Sequence, residues 1–281
     1  MPSIEHRMME IYCFTADFLQ ARPSCARWRR SPNSQPAFTD AEVLTIALLQ
    51  GSLGVATLKQ TYLLVRSNWR AAFPTLCSYR QWVARLHALT AVVGHLLRAI
   101  RLRLVEADNF YLLDSKPIPV CASLRHGPAR LLRDDGAYFG KSSRGWFFGF
   151  KLHLLVAERG HVLCAILTPG NWSDWAAAPA LSEAVAGGAA LGDLGYSGVE
   201  LAATIYEGTV LLLLNVGDGG RLYSAGRALL PSVRQRVETV FSQLWSRFID
   251  RVYSRSWEGL WNTVKLKMLH CNLVHAGIVS C

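Results

Sequence analysis

The sequence has no C-x-x-C pair and no uninterrupted apolar run near the roughly 20 residues that cross a bilayer. Its seven cysteines are scattered, at Cys13, Cys25, Cys77, Cys121, Cys164, Cys271 and Cys281. Without close pairs, neither a zinc ribbon nor a dithiol redox site is supported. The cysteines read as small, mostly core residues in a reducing compartment. His270, Cys271 and His275 are near one another, but a spacing of five points the two histidines to different sides of a helix. The longest apolar stretches, such as Val210 to Leu214, are strand-sized. The first residues lack the charged-then-apolar order of a signal peptide. No repeat or long low-complexity tract occurs. Together these absences lead us to expect a soluble, cytoplasmic protein.

Acidic residues are also few where the chain begins. Residues 1–105 hold 13 Lys/Arg against 5 Asp/Glu, a net +8, and residues 106–281 hold 17 against 15, a net +2. A basic first part joined to a nearly neutral body points to a polyanion partner, and nucleic acid is favoured over a merely solvated arginine-rich surface.

The first 105 residues read as a helical domain. Thr39-Asp40-Ala41-Glu42 is a capping box ahead of an apolar helix that stops at Gly51. Apolar periodicity resumes over Leu58–Trp69 and Trp82–Leu104, with Pro74 between them. Arginines 66, 70, 80, 85, 98, 101 and 103 lie on or beside these helices, and residues 22–36 read as a loop. From about residue 106 to 281 the texture changes. Phe110–Leu113 is a buried-strand candidate. Trp146–Val156 and His161–Leu167 read as a hairpin turning at Arg159-Gly160. Ser173–Val185 reads as helix, Ala189–Leu191 as strand, Val199–Tyr206 as helix and Val210–Leu214 as strand. Further helix is expected from about Pro231 to Phe248 and on to the C-terminus. The alternation predicts an α/β domain, a sheet covered by helices.

Three acids sit where metal-binding carboxylates would be useful. Asp114 and Asp193 each close an apolar run, which puts both at the C-terminal ends of strands, where ligands gather in such sheets. Glu238 lies in a basic helical pattern. Two Asp and one Glu suffice to hold two Mg²⁺ ions, which take hard oxygen ligands and keep some of their water. Two such ions can drive phosphodiester cleavage. Singly the signals are weak: strand-end aspartates cap turns, and a glutamate between arginines pairs with them. Lys151 and His153 share a strand face because side chains alternate. They fit either a phosphate contact beside the carboxylates or an exposed strand face. Arg234, four residues before Glu238, shares its helix face and fits a DNA phosphate or a pair with Glu238. Asn171 and Asp174 read as turn and helix-cap residues. Trp82 and Trp146 read as core.

Several blocks occur in a telling order: Leu113-Asp114-Ser115, the run from Lys141 through Arg144 and Lys151 to His153, Thr168-Pro169-Gly170-Asn171, Gly192-Asp193-Leu194-Gly195-Tyr196, and Val237-Glu238-Thr239. Together the sequence resembles the DDE transposases of compact bacterial insertion sequences. The resemblance implies a ribonuclease H-like mixed sheet flanked by helices, preceded by an all-α domain. It implies Asp114, Asp193 and Glu238 as a catalytic, metal-binding triad for two Mg²⁺ ions, with Mn²⁺ as a substitute. Lys141, Arg144, Lys151, His153 and Arg234 are the expected DNA contacts. The implied activity is binding of terminal inverted repeats, metal-dependent strand cleavage and strand transfer, by a homodimer on element and target DNA at the nucleoid. Leu194 and Trp245 depart from the pattern, which has lysines there. That departure motivates an alternative reading, a weakened or inactive DNA-binding derivative. A simple nuclease of the same fold is a further alternative.

Overall fold

The computed structural model describes residues 2–26, 36–104, 110–121, 129–142, 145–185, 188–192, 210–214, 235, 239, 242 and 254–280. The chain divides into two units: one is Met1–Leu104 with Glu258–Cys281, the other Val105–Trp257.

In the first unit, polar caps start the helices and apolar faces join them. Helix α1 spans Ile4–Gln20, α2 Asp40–Leu53, α3 Leu58–Asn68, α4 Tyr79–Ala88 and α5 Thr90–Leu104. Thr39, Thr57 and Ser78 each close a capping box with Glu42, Gln60 and Gln81, which satisfies backbone donors at three helix starts. Helix α2 is apolar almost all round, so it is buried on nearly every side. It forms the axis of a core with Ile11, Val65, Trp82, Leu86, Val93 and Leu96. The helical run expected from Trp82 to Leu104 is broken at Leu89, between α4 and α5.

The C-terminal helix, α7 (Trp257–His275), corrects the expected boundary. The sequence assigns residues 258–281 to the second domain, yet Leu266, Leu269, Leu273 and Val279 complete the core of the first unit. The Ser280 hydroxyl and amide also donate to Glu10 on α1, at 2.5 and 2.9 Å. The physical reason is the apolar surface of α2, which needs more cover than the N-terminal helices supply.

The second unit is built on a six-stranded mixed sheet. Its strands are β1 Phe110–Pro119, β2 Tyr138–Ser142, β3 Gly145–Ala157, β4 Val162–Pro169, β5 Gly188–Gly192 and β6 Val210–Leu214. The order is β2-β3-β1-β5-β6, with β4 also paired to β3. Strands β1 to β4 pair antiparallel, and β1, β5 and β6 run parallel. This is the α/β class the sequence implies. The β3–β4 hairpin turns at Glu158-Arg159-Gly160, closed by Gly160 N–H donating to Ala157 O at 2.8 Å. Strand β2 has no counterpart in the sequence reading. Where Ser173–Val185 was expected as one helix, the chain forms a 3₁₀ turn, Asp174–Ala177, and a short helix α6, Ala178–Ser182, with Pro179 at its start.

Glycines admit the crossing of backbones beside β3. A Cβ on Gly140 would lie 2.1 Å from the Gly170 carbonyl oxygen, and one on Gly149 2.1 Å from that of Ile118. Trp82 is fully buried as expected, but Trp146 is 65% exposed and is no core residue.

Candidate active site on strand β1

Strand β1 sets the geometry. Its residues 111–113 are flanked on both sides, by β3 and by β5. Among the described residues the parallel ladder runs to the rung Leu113–Gly192, while the antiparallel ladder continues through Asp114–Leu154 to Pro119–Gly149. Asp114 is therefore not at the end of its strand, as the apolar run suggested. It lies in mid-strand, one residue past the last described rung to β5. Antiparallel pairing to β3 draws β1 onward past the aspartate, which an apolar-run reading cannot register. Asp114 is half-buried, and its Oδ1 accepts the Ser115 amide at 2.7 Å.

Alternation then sorts the neighbouring side chains onto two faces, since cross-strand partners point the same way. Tyr111 and Leu113 pack with Leu155, Ala157, Ala177, Ala178 and Leu181, which places α6 on that face. Ser115 pairs with His153, and Lys151 with Thr168, so these four share the α6 face. Asp114 and Leu154 take the other.

The α6 face carries a connected polar group. Ser115 Oγ donates to Asp174 Oδ1 at 2.6 Å, and Lys151 Nζ donates to the same oxygen at 3.1 Å. His153 Nε2 and Thr168 Oγ1 are 2.8 Å apart. His153 has no exposed surface. Burial lowers it to about 4, against an upward pull from Asp174 and with a further downward push from Lys151. It is a neutral buried ring and not the DNA contact expected from the sequence. Lys151 is mostly buried and ion-paired with Asp174, so its expected phosphate role gives way to an internal one. Both lie on the face opposite Asp114, because one residue of register separates the Ser115–His153 and Asp114–Leu154 rungs. Asp174, read as a cap, instead uses its carboxylate to tie the turn after β4 to β1.

Lys141 is exposed on edge strand β2, its Nζ 6.0 Å from the Trp146 ring centroid. Its rung with Trp146 lies eight residues along β3 from Leu154, about 26 Å at roughly 3.3 Å per residue. A basic residue on the face of Asp114 is Lys116, two positions on along β1, which the sequence reading passed over. The signal was available: a lysine at i+2 from a strand carboxylate shares its face.

Asp193, Glu238, Arg144 and Arg234 lie outside the described residues, as do Leu194 and Trp245. Gln235, Thr239 and Ser242 are described; they are helical and exposed, and Thr239 Oγ1 donates to Gln235 O at 2.7 Å. Among the described residues, no three His, Cys, Asp or Glu side chains group as a metal site, and no single helix is long and apolar enough to cross a membrane.

A family model described as the transposase DDE domain matches residues 105–252, more than half of the chain. The solved piggyBac transposase synaptic complex with hairpin DNA is similar at 10% identity and a TM-score of 0.49. That likeness covers 98% of this chain and 72% of the other, and at this score it adds nothing to the assignment. No curated protein matches. The matched span contains β1 with Asp114, the whole mixed sheet, and the sequence blocks around Asp193 and Glu238, and on it the chain belongs to the DDE transposase family.

Proposed function

We propose that the protein cleaves DNA strands at the ends of a mobile element and joins them to target DNA, with Asp114, Asp193 and Glu238 as its metal-holding carboxylates. The observation that carries this reading is the Leu113–Gly192 rung, the last parallel pairing between β1 and β5 among the described residues. After each of these two residues the sequence continues with an aspartate. Asp114, a half-buried oxygen donor one residue past that rung, suits a hard divalent ion. Mg²⁺, or Mn²⁺ in its place, would supply an activated water and neutralise charge on the scissile phosphate.

The chain's own residues do the positioning. Asp114 is held from behind by an unbroken antiparallel ladder and by the Ser115 amide. The Ser115–Asp174–Lys151 group fixes the residue after it on the other face. Lys116 presents a cation on the aspartate's own side, where a substrate phosphate would need one. Lys141, Arg144 and Arg234 are proposed as further DNA contacts. Holding two element ends together calls for a homodimer on DNA.

A supercoiled plasmid carrying the DNA that flanks the gene tests the proposal, with Mg²⁺ or Mn²⁺ present. Wild-type protein should nick and join it. Asp114→Ala, Asp193→Ala and Glu238→Ala should each lower cleavage by about three orders of magnitude, the scale of losing several kcal/mol of charge stabilisation, while DNA binding persists. Retained strand transfer in any one variant removes that residue from the site. Binding without cleavage by the wild type favours the DNA-binding derivative suggested by Leu194 and Trp245.

A further inference from the structure

We propose that Asp174 is a positioning residue for the carboxylate site: acting through Ser115, it sets the aim of the Asp114 side chain and with it the grip of the acids on a divalent ion. The inference rests on the metal-holding role given to Asp114 above and deepens it by naming what orients that carboxylate.

The chain of contacts is short. Asp174 Oδ1 accepts the Ser115 hydroxyl at 2.6 Å and the Lys151 ammonium at 3.1 Å. The Ser115 amide donates to Asp114 Oδ1 at 2.7 Å. Ser115 is thus held by its side chain on one face of the sheet, while its backbone N–H holds the acid that points to the other. Twisting residue 115 in its strand moves both bonds together. Pairing with β3 decides which face Asp114 takes, but not the side-chain torsions that aim its two oxygens. The Ser115 amide restrains those torsions, and Asp174 restrains Ser115.

The polarity of the α6 face begins beside Asp114. Towards one end of β1 and β3 that face is apolar, with Tyr111, Leu113, Leu155 and Ala157. It turns polar at Ser115 and, across the ladder, at His153 and Lys151. Lys151 and Asp174 keep only 16% and 23% of their side-chain surface in water. Removing such groups from water costs free energy, and apolar side chains of the same volume would join the strands at least as firmly. The trio is therefore poorly explained by strand cohesion and well suited to fixing one geometry at Ser115.

The turn after β4 supplies the fixed point. Asp174 opens the 3₁₀ turn Asp174–Ala177, which leads into α6, and Ala177, Ala178 and Leu181 anchor that segment in the core. From there its carboxylate reaches across to β1 and β3. Lys151 balances its charge, so Asp174 steers Ser115 without placing an uncompensated anion behind Asp114. Hydrogen-bond partners that orient metal ligands change metal affinity or activity by roughly 10–100-fold.

The test titrates the full chain with Mn²⁺ alone and counts the free ion by electron paramagnetic resonance. Asp114→Ala, which removes a ligand, should lose binding altogether. Ser115→Ala and Asp174→Ala should each weaken it about tenfold. Ser115→Thr keeps the hydroxyl and suits a strand, so it should stay within about twofold of wild type. Leu181→Ala is the structural control: it hollows the core on the same face, so Tm should fall while Mn²⁺ affinity holds. Wild-type affinity in both Ser115→Ala and Asp174→Ala, with Asp114→Ala deficient, overturns the inference and leaves the proposed function standing. So does a loss that Ser115→Thr fails to reverse or that Leu181→Ala reproduces. Mn²⁺ binding that is absent from the wild type, or unchanged in Asp114→Ala, overturns the metal role of Asp114 and the inference with it.

Discussion

His153 shows how little a residue's type says about its use. On sequence it is an imidazole beside candidate catalytic acids. In the fold it is a neutral ring, buried and bonded to Thr168. Its pKa is depressed from 6.5 to about 4, so the unfolded chain takes up a proton there before the folded one does. Stability from this group is complete above pH 6.5 and falls as pH drops towards 4, by a total on the order of 3 kcal/mol. Tm measured between pH 7 and 4 should decline, and the decline should be shallower in His153→Gln. An equal slope in the variant would remove His153 as its source. Asp174 makes the same point from the other side. Its position after Thr168-Pro169-Gly170-Asn171 looks like a cap, but its carboxylate serves Ser115 and Lys151, 59 and 23 residues away in sequence. Such partners are set by sheet register, which a single strand's pattern does not contain.

Elements were more legible than residues. Helix α2 announces itself through Thr39-Asp40-Ala41-Glu42 and its apolar run, and the β3–β4 hairpin through Arg159-Gly160. Both signals are local, and both elements form where they point. Edge strand β2 was not legible, because its five residues, Tyr138–Ser142, earn their conformation from pairing with β3. Nor was the extension of β1 past Asp114, which depends on the same strand. Close packing between elements leaves a clearer mark at Gly51. The sequence reads it as a helix stop, yet α2 continues two residues beyond it to Leu53. Glycine is needed there because a Cβ would stand 2.2–2.4 Å from the His270 ring of α7. In an exposed helix Gly→Ala stabilises by about 1 kcal/mol. Here Gly51→Ala should do the reverse, lowering stability by about 1–3 kcal/mol as overpacked cores do. Urea denaturation gives the sign; a raised midpoint would mean that α7 yields without strain.

For the whole molecule, the order of segments does not follow the order of units. The basic helical unit is assembled from sequence that precedes and sequence that follows the sheet-bearing one, with α7 supplying Leu266, Leu269 and Leu273 to its core. Composition showed the charge asymmetry but not this return, because an apolar helix does not state which core it fills. Deleting residues 258–281 should therefore damage the helical unit first. Limited proteolysis should cut within residues 1–104 of the truncated chain faster than within 105–257, and duplex DNA binding should be lost. Protection of the first 104 residues at wild-type level would show that they close their core unaided.

The return of α7 also puts completion of the helical core on a clock. Synthesis must pass through all of Val105–Trp257 before the last core residues of the helical unit leave the ribosome, about 10–30 s at 5–20 residues per second. Throughout that interval a nascent chain has its basic helices but not the α7 residues that complete their core. The first chain able to close its helical core is thus one whose sheet-bearing unit has already been translated.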